Sequence, residues 1–191
     1  CRRIITSAAE HSAVIKTAES LVRSEGIELE LVRHLLDGTV DLEHLAELLA
    51  KGPKSLVSLM HANNEVAVIQ DLERIGNLCR THGALFHSDT VQTMGHYAFD
   101  LSKIPVDFIT CSAHKFHGPK GIGFLYIAEG LKVGGQIEGG SQERAVRGGT
   151  ENIHSIVGLA TALEMACRDM DDHEQHIRAL KAQMVAGLKS M

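Results

Sequence analysis

With 191 residues, of which 44% are hydrophobic and 23% charged, 18 Gly and 3 Pro, the chain has the composition of an ordinary soluble globular protein and excludes disordered or fibrous classes. One domain is the default at this length, and folding buries roughly 70% of the unfolded surface. The formal net charge of −5, with Lys and Arg scattered among Asp and Glu, argues against nucleic acid as a partner.

Short β-branched runs alternate with amphipathic stretches. Strands are expected at Arg3 to Thr6, Ile27 to Arg33, Ser55 to Met60, Ala84 to His87, Asp107 to Cys111 and Gly123 to Ile127. Between them, Val14, Ile15, Ala18, Leu21 and Val22 recur at helical spacing, as do Leu42, Leu45, Leu48 and Leu49, then Leu72, Ile75, Leu78 and Cys79. Asp41 suits an N-cap, and Gly26 and Gly83 sit where helices stop. The alternation predicts βαβ units, a mostly parallel sheet flanked by helices, and hence an α/β fold. Glu129 to Thr150 carries seven glycines without apolar period and is expected to be a long functional loop. Ile153 to Met191 reads as helical, with a charged break at Arg168 to Gln175. Its longest apolar stretch, Ile156 to Cys167, is short and interrupted by Glu164, so no membrane span is expected.

Cys1, Cys79, Cys111 and Cys167 form no CxxC pair, which fits a reducing, cytoplasmic setting and neither a zinc ribbon nor a redox motif. The chain opens at Cys1 and runs almost directly into an apolar segment, as a piece of a longer protein would.

Ligands of parallel sheets sit outside the carboxyl ends of the strands. The polar segments there are Glu10-His11-Ser12, His61-Ala62-Asn63-Asn64-Glu65, His87-Ser88-Asp89-Thr90-Val91-Gln92, and Ser112-Ala113-His114-Lys115 followed by Gly118-Pro119-Lys120-Gly121. An Asp, a Lys, an imidazole and hydroxyl donors at one edge suit pyridoxal phosphate: the Lys bonds to the cofactor, the carboxylate pairs with the pyridine nitrogen, and hydroxyls hold the phosphate. Each residue has a plainer reading. Asp89 would equally cap a helix starting near Thr90, Lys115 would be a solvated lysine in a turn, His11 a helix-start residue, and Asn63 and Asn64 a turn. His87 and Asp89 also stand as metal ligands, although their spacing matches no common zinc motif.

The ordered series His11, His61 to Glu65, His87 to Gln92, Ser112 to Gly121 and Arg147-Gly148-Gly149-Thr150-Glu151-Asn152 resembles the cysteine desulfurases, class V aminotransferases of fold type I, over nearly the whole chain. The Ser-x-His-Lys and Arg-x-Gly-Thr motifs are its most specific parts. The resemblance implies that Lys115 forms the Schiff base, Asp89 pairs with the pyridine nitrogen, and His11 stacks on the ring and assists proton transfer. It further implies that Asn64 and Gln92 bond near the ring hydroxyl, that Ser112 and His114 bind phosphate, and that Thr150 reaches the cofactor of a neighbouring subunit in a homodimer. No metal is implied. The implied reaction converts L-cysteine to L-alanine and leaves sulfur as an enzyme persulfide, for a sulfur-acceptor protein in iron–sulfur cluster or thio-cofactor synthesis. A selenocysteine lyase, another class V aminotransferase or β-lyase, and a truncated non-catalytic dimerisation module are the alternatives. Two departures stand out. Ala67 occupies a position where the family has glycine, and residues 1–191 correspond to the central part of the large domain, without the N-terminal segment or the small C-terminal domain that carries the persulfide cysteine.

Overall fold

The computed structural model describes residues 1–191. Six strands form one sheet in the order β2-β1-β3-β4-β5-β6: β1 (Arg3–Ser7), β2 (Glu28–Val32), β3 (Ser55–Ser58), β4 (Leu85–Asp89), β5 (Phe108–Ser112) and β6 (Gly123–Ile127). The first five are mutually parallel, and β6 runs antiparallel to β5. All six expected strands and the mostly parallel sheet are therefore present. The reversal at β6 has a cause visible in the chain: only ten residues join it to β5, whereas a parallel crossover takes a dozen or more.

Helices α1 (Ser12–Glu25), α2 (Leu42–Ala50) and α3 (Leu72–Thr81) connect the parallel strands. The Asp41 carboxylate accepts the His44 N–H at 3.0 Å, as expected of an N-cap, and Asp71 does the same for Arg74 at 3.0 Å. Gly26 ends α1 at φ 65°, donating its N–H to the Val22 carbonyl, a left-handed cap that a side chain would strain. The main core joins Ile5, Val57, Phe86 and Ile109 of the strands to Leu45 and Leu49 of α2 and Leu72, Ile75 and Cys79 of α3. Within the fully buried β1, Arg3 is 2% exposed. Its guanidinium is paired with Glu30 and donates to the Leu48 carbonyl at 2.8 Å and the Ser55 hydroxyl at 3.2 Å, so the buried charge is compensated.

Beyond β6 the packing thins. The glycine-rich loop contains one four-residue turn, α4 (Gln142–Ala145), in which Glu143, Arg144 and Ala145 take positive φ. Helices α5 (Ile153–Arg168) and α6 (Met170–Lys189) follow. The charged break between them is narrower than Arg168 to Gln175: Asp169 alone separates the helices, and residues 170–175 already belong to α6. Ala166 is the only buried residue of α5, and α6 has none. Along α6, Ile177, Leu180, Met184 and Leu188 form an exposed stripe. No helix is long and apolar enough to cross a membrane.

Candidate active site at the carboxyl edge of the sheet

The carboxyl ends of β1, β3, β4 and β5 share one edge, because these strands are parallel. Asp89, the last residue of β4, sits at its centre. The ladder continues past the strand ends: Leu59 donates to the His87 carbonyl at 3.1 Å, His61 to that of Asp89 at 2.9 Å, and Thr90 to that of Thr110 at 3.0 Å. These bonds fix the edge from β3 to β5.

Asp89 is 7% exposed. Its Oδ1 accepts the Val91 N–H at 2.9 Å; the helix expected near Thr90 is absent, so the bond closes a turn and caps no helix, and Oδ2 is left for another donor. Gln92, in the same turn, is half-buried. With His96 it lines a cleft of about 930 Å³ against α6 that neither Asp89 nor Lys115 faces.

After β5 the chain makes a short 3-10 turn, Ala113–Phe116. Ser112 precedes it with no capping bond from its side chain, while His114 and Lys115 are exposed and Phe116 is buried beneath them. The turn is anchored from two sides. His96 Nε2 lies 3.0 Å from the Lys115 carbonyl, and Gly95, at φ 80°, is so close that a Cβ there would lie 2.9 Å from Phe116 Cβ and 3.1 Å from Ala166 Cβ. Lys115 thus presents its side chain from a fixed backbone, and its amine makes no ion pair within the chain.

His11 is exposed and caps α1, its Nδ1 accepting the Ala13 N–H at 3.2 Å. That bond places the ring proton of the neutral imidazole on Nε2. Asn64 is exposed, whereas Asn63 is half-buried and acts as the hub of its loop. It donates to the Ala9 carbonyl at 2.6 Å and accepts from the Glu65 and Val66 N–H groups at 2.7 and 2.9 Å. The turn reading therefore holds for Asn63. Ala67, at φ 55°, keeps a backbone conformation that favours glycine, so the turn survives the substitution at a steric cost. Thr150 is exposed at the end of the long loop, just before α5, in a segment separate from the sheet edge.

Two histidines are locked by hydroxyls. His87 lies between Ser58 Oγ at 2.8 Å from Nδ1 and Thr110 Oγ1 at 3.2 Å from Nε2, and burial lowers its pKa against the opposing pull of Asp89. Both ring nitrogens are engaged, and no cluster of three or more His, Cys, Asp or Glu side chains suited to a metal ion is assembled. His61 packs edge-on against Tyr97 and Phe99, with Nδ1 2.9 Å from Thr93 Oγ1, and burial lowers its pKa to about 4.

Glu10 stands in the first of the polar segments at the strand ends, but motif and spacing assigned it no role. It is 8% exposed, and its Oε1 accepts the Met60 N–H at 2.8 Å and the Ser7 hydroxyl at 3.3 Å. Oε2 is buried with no partner. Burial first, and the Asp89 charge in addition, raise its pKa to about 7, against the opposing bonds from Met60 and Ser7.

Residues 1–191 match the Aminotransferase class-V family over their full length. The chain belongs to that family. It is 42% identical over its whole length to a protein named cysteine desulfurase IscS from Vibrio vulnificus (strain YJ016), of which it covers 47%. A solved structure named NIFS-like protein superposes at TM-score 0.93 with 41% identity, over 99% of this chain and 52% of that one. A NifS-like protein from Rickettsia africae ESF-5 superposes at 0.91 with 34% identity, over 99% of this chain and 52% of that one. The fold is thus the fold-type I architecture expected from the motifs, and the chain spans about half the length of the curated relatives it matches. Membership of the family carries with it pyridoxal phosphate as the cofactor class. The donors present fit that group: a buried carboxylate with one oxygen uncommitted, an amine without an ion pair and an uncommitted hydroxyl at Ser112.

Proposed function

We propose that residues 1–191 are the cofactor-binding part of a pyridoxal phosphate-dependent cysteine desulfurase, the central part of its large domain. The observation that carries this reading is the placement of Asp89 at the end of β4 and Lys115 in the turn after the neighbouring β5, together with the desulfurase names of relatives about 40% identical. Those names favour a desulfurase over a selenocysteine lyase or an aminotransferase.

Bound pyridoxal phosphate supplies an electron sink and an aldehyde carbon open to amines. Lys115 supplies the amine that tethers it, from a turn held at its carbonyl by His96. Asp89 Oδ2, which the bond from Val91 leaves open, would accept the N–H of the pyridine ring and so support its use as an electron sink. Ser112 and His114 would serve the phosphate and Asn64 the region of the ring hydroxyl, a role that Gln92 would share only by turning from the α6 cleft it lines. His11, whose Nδ1 is committed to Ala13, would stack on the ring and leave Nε2 as the atom that carries a proton. In the overall reaction the carbon–sulfur bond of L-cysteine breaks, its carbon skeleton leaves as L-alanine, and the sulfur passes to an enzyme thiolate as a persulfide for an acceptor protein in iron–sulfur cluster or thio-cofactor synthesis.

That thiolate is assigned to none of the four cysteines. Burial pushes the Cys79 thiol up to about 12 and the Cys111 thiol up to about 11, which keeps both protonated and poorly nucleophilic. Cys1 and Cys167 are exposed, at the start of the chain and near the end of α5. We assign the protein to the cytoplasm as a homodimer, with Thr150 serving the partner subunit's cofactor.

The test is to incubate the chain with pyridoxal phosphate, reduce with borohydride and map the modified peptide. A label confined to Lys115, and lost in Lys115→Ala, is expected. Label spread over many lysines, with the same pattern from the full-length protein, overturns the assignment. Full turnover in an Asp89→Asn variant of the full-length protein contradicts the role given to Asp89.

A further inference from the structure

We propose that Glu10 is a positioning residue for His11: its buried carboxyl group ties the β1–α1 turn to the carboxyl edge of β3, and ionising that group loosens the tie. The turn is clasped at two points. Glu10 Oε1 accepts the Met60 N–H at 2.8 Å, and one residue earlier the Ala9 carbonyl accepts Asn63 Nδ2 at 2.6 Å. Met60 and Asn63 both belong to the segment leaving β3, so the turn that ends in His11 is pinned to the edge that also carries Asp89. His11 in turn sets the first residues of α1 through its bond to Ala13. The direction of the imidazole therefore depends on where Glu10 sits.

The second oxygen makes this tie conditional. Oε2 is buried and unpartnered, beside a void of about 10 Å³ lined by His34, Asn63 and Gln70 among others, room for one water at most. As a neutral acid the group needs only weak solvation there. As a carboxylate it faces Asp89 from β4, and no cation answers it. His34, the titratable group lining the same void, is itself held toward the neutral form by burial, and His11 is turned toward Ala13. An ionised Oε2 is relieved only by admitting water, which requires the turn to open. The group's ionisation near neutrality places this change within the working range of a cytoplasmic enzyme.

The bearing of this tie on catalysis rests on the functional reading above, but its test needs no cofactor. In the full chain carrying ¹³C-labelled glutamate, the Glu10 carboxyl resonance, assigned by its absence in Glu10→Gln, is followed with pH. Backbone amide exchange at Ala13 and Met60 is followed alongside. A midpoint near 7 is expected, with exchange at both amides, corrected for its intrinsic pH dependence, rising roughly tenfold across the same interval. Glu10→Gln, which keeps the acceptor and never ionises, removes that inflection. Glu10→Ala exchanges fast at every pH. A carboxyl midpoint below about 5, or an Ala13 inflection that persists in Glu10→Gln, overturns the proposal. If Glu10→Ala does not fold, the wild-type and Gln profiles decide alone. Failure of cofactor labelling at Lys115 would count against the functional reading and leave these measurements standing.

Discussion

Residues 1–127 and residues 129–191 obey different rules. In the first part the strands and α2 and α3 bury their apolar faces in one another, down to Phe86 and Ile5 at 0% exposure. In the second, α5 and α6 are well-formed helices whose apolar residues mostly face outward, with Ile153 64% and Leu188 62% exposed. Regular backbone is present in both, so secondary structure alone does not mark where the stabilising free energy lies. Burial does.

The contrast breaks if mutations in the two parts cost the same. Phe86→Ala removes a fully buried ring and is expected to destabilise by about 3–5 kcal/mol in urea unfolding. Next in size is a pH effect at the sheet edge. Glu10 has its pKa raised on folding from 4.5 to about 7, so its contribution is fully present below about 4.5 and is lost as pH rises through 7. The ceiling is about 3 kcal/mol, taking roughly 1.4 kcal/mol per pKa unit. His61 has the opposite sign. Its folded pKa is lowered to about 4, so its contribution is present above about 6.5 and lost as pH falls toward 4. Urea midpoints of Glu10→Gln and His61→Gln from pH 4 to 9 separate the two slopes. Ala67→Gly, which relieves a positive φ, is expected to stabilise by up to about 1 kcal/mol. Smallest of all, Leu180→Ala on the exposed stripe should shift stability by less than about 0.5 kcal/mol. A cost near that of Phe86→Ala would show that α6 is covered in solution.

What the sequence made legible follows the same division between pattern and burial. Strand runs, the Asp41 cap and the Gly26 stop are local signals, and each stands where periodicity put it. The reversal of β6 was also legible, in the ten-residue connection, although the reading went no further than a mostly parallel sheet. Asn63 and Asn64 are adjacent and chemically identical, so which one turns inward to hold Ala9 depends on the register of the loop against β1. Glu10 carried the same difficulty. Sequence placed Glu10 among the polar residues after β1 without a role, and only the approach of Met60, fifty residues away just past β3, makes it a buried acid. No helix starts at Thr90, so the helix-cap reading of Asp89 fails; its carboxylate instead closes a turn at Val91 and still offers its second oxygen to the edge.

The close approach of Gly95, Phe116 and Ala166 reaches further than packing. No gap remains in which the turn bearing Lys115 could slide over α5, and a well-packed contact of this kind transmits displacement instead of absorbing it. Phe116, the neighbour of Lys115, is therefore seated directly against Ala166 of α5, and a bulkier side chain at Ala166 would press on the turn that carries the lysine.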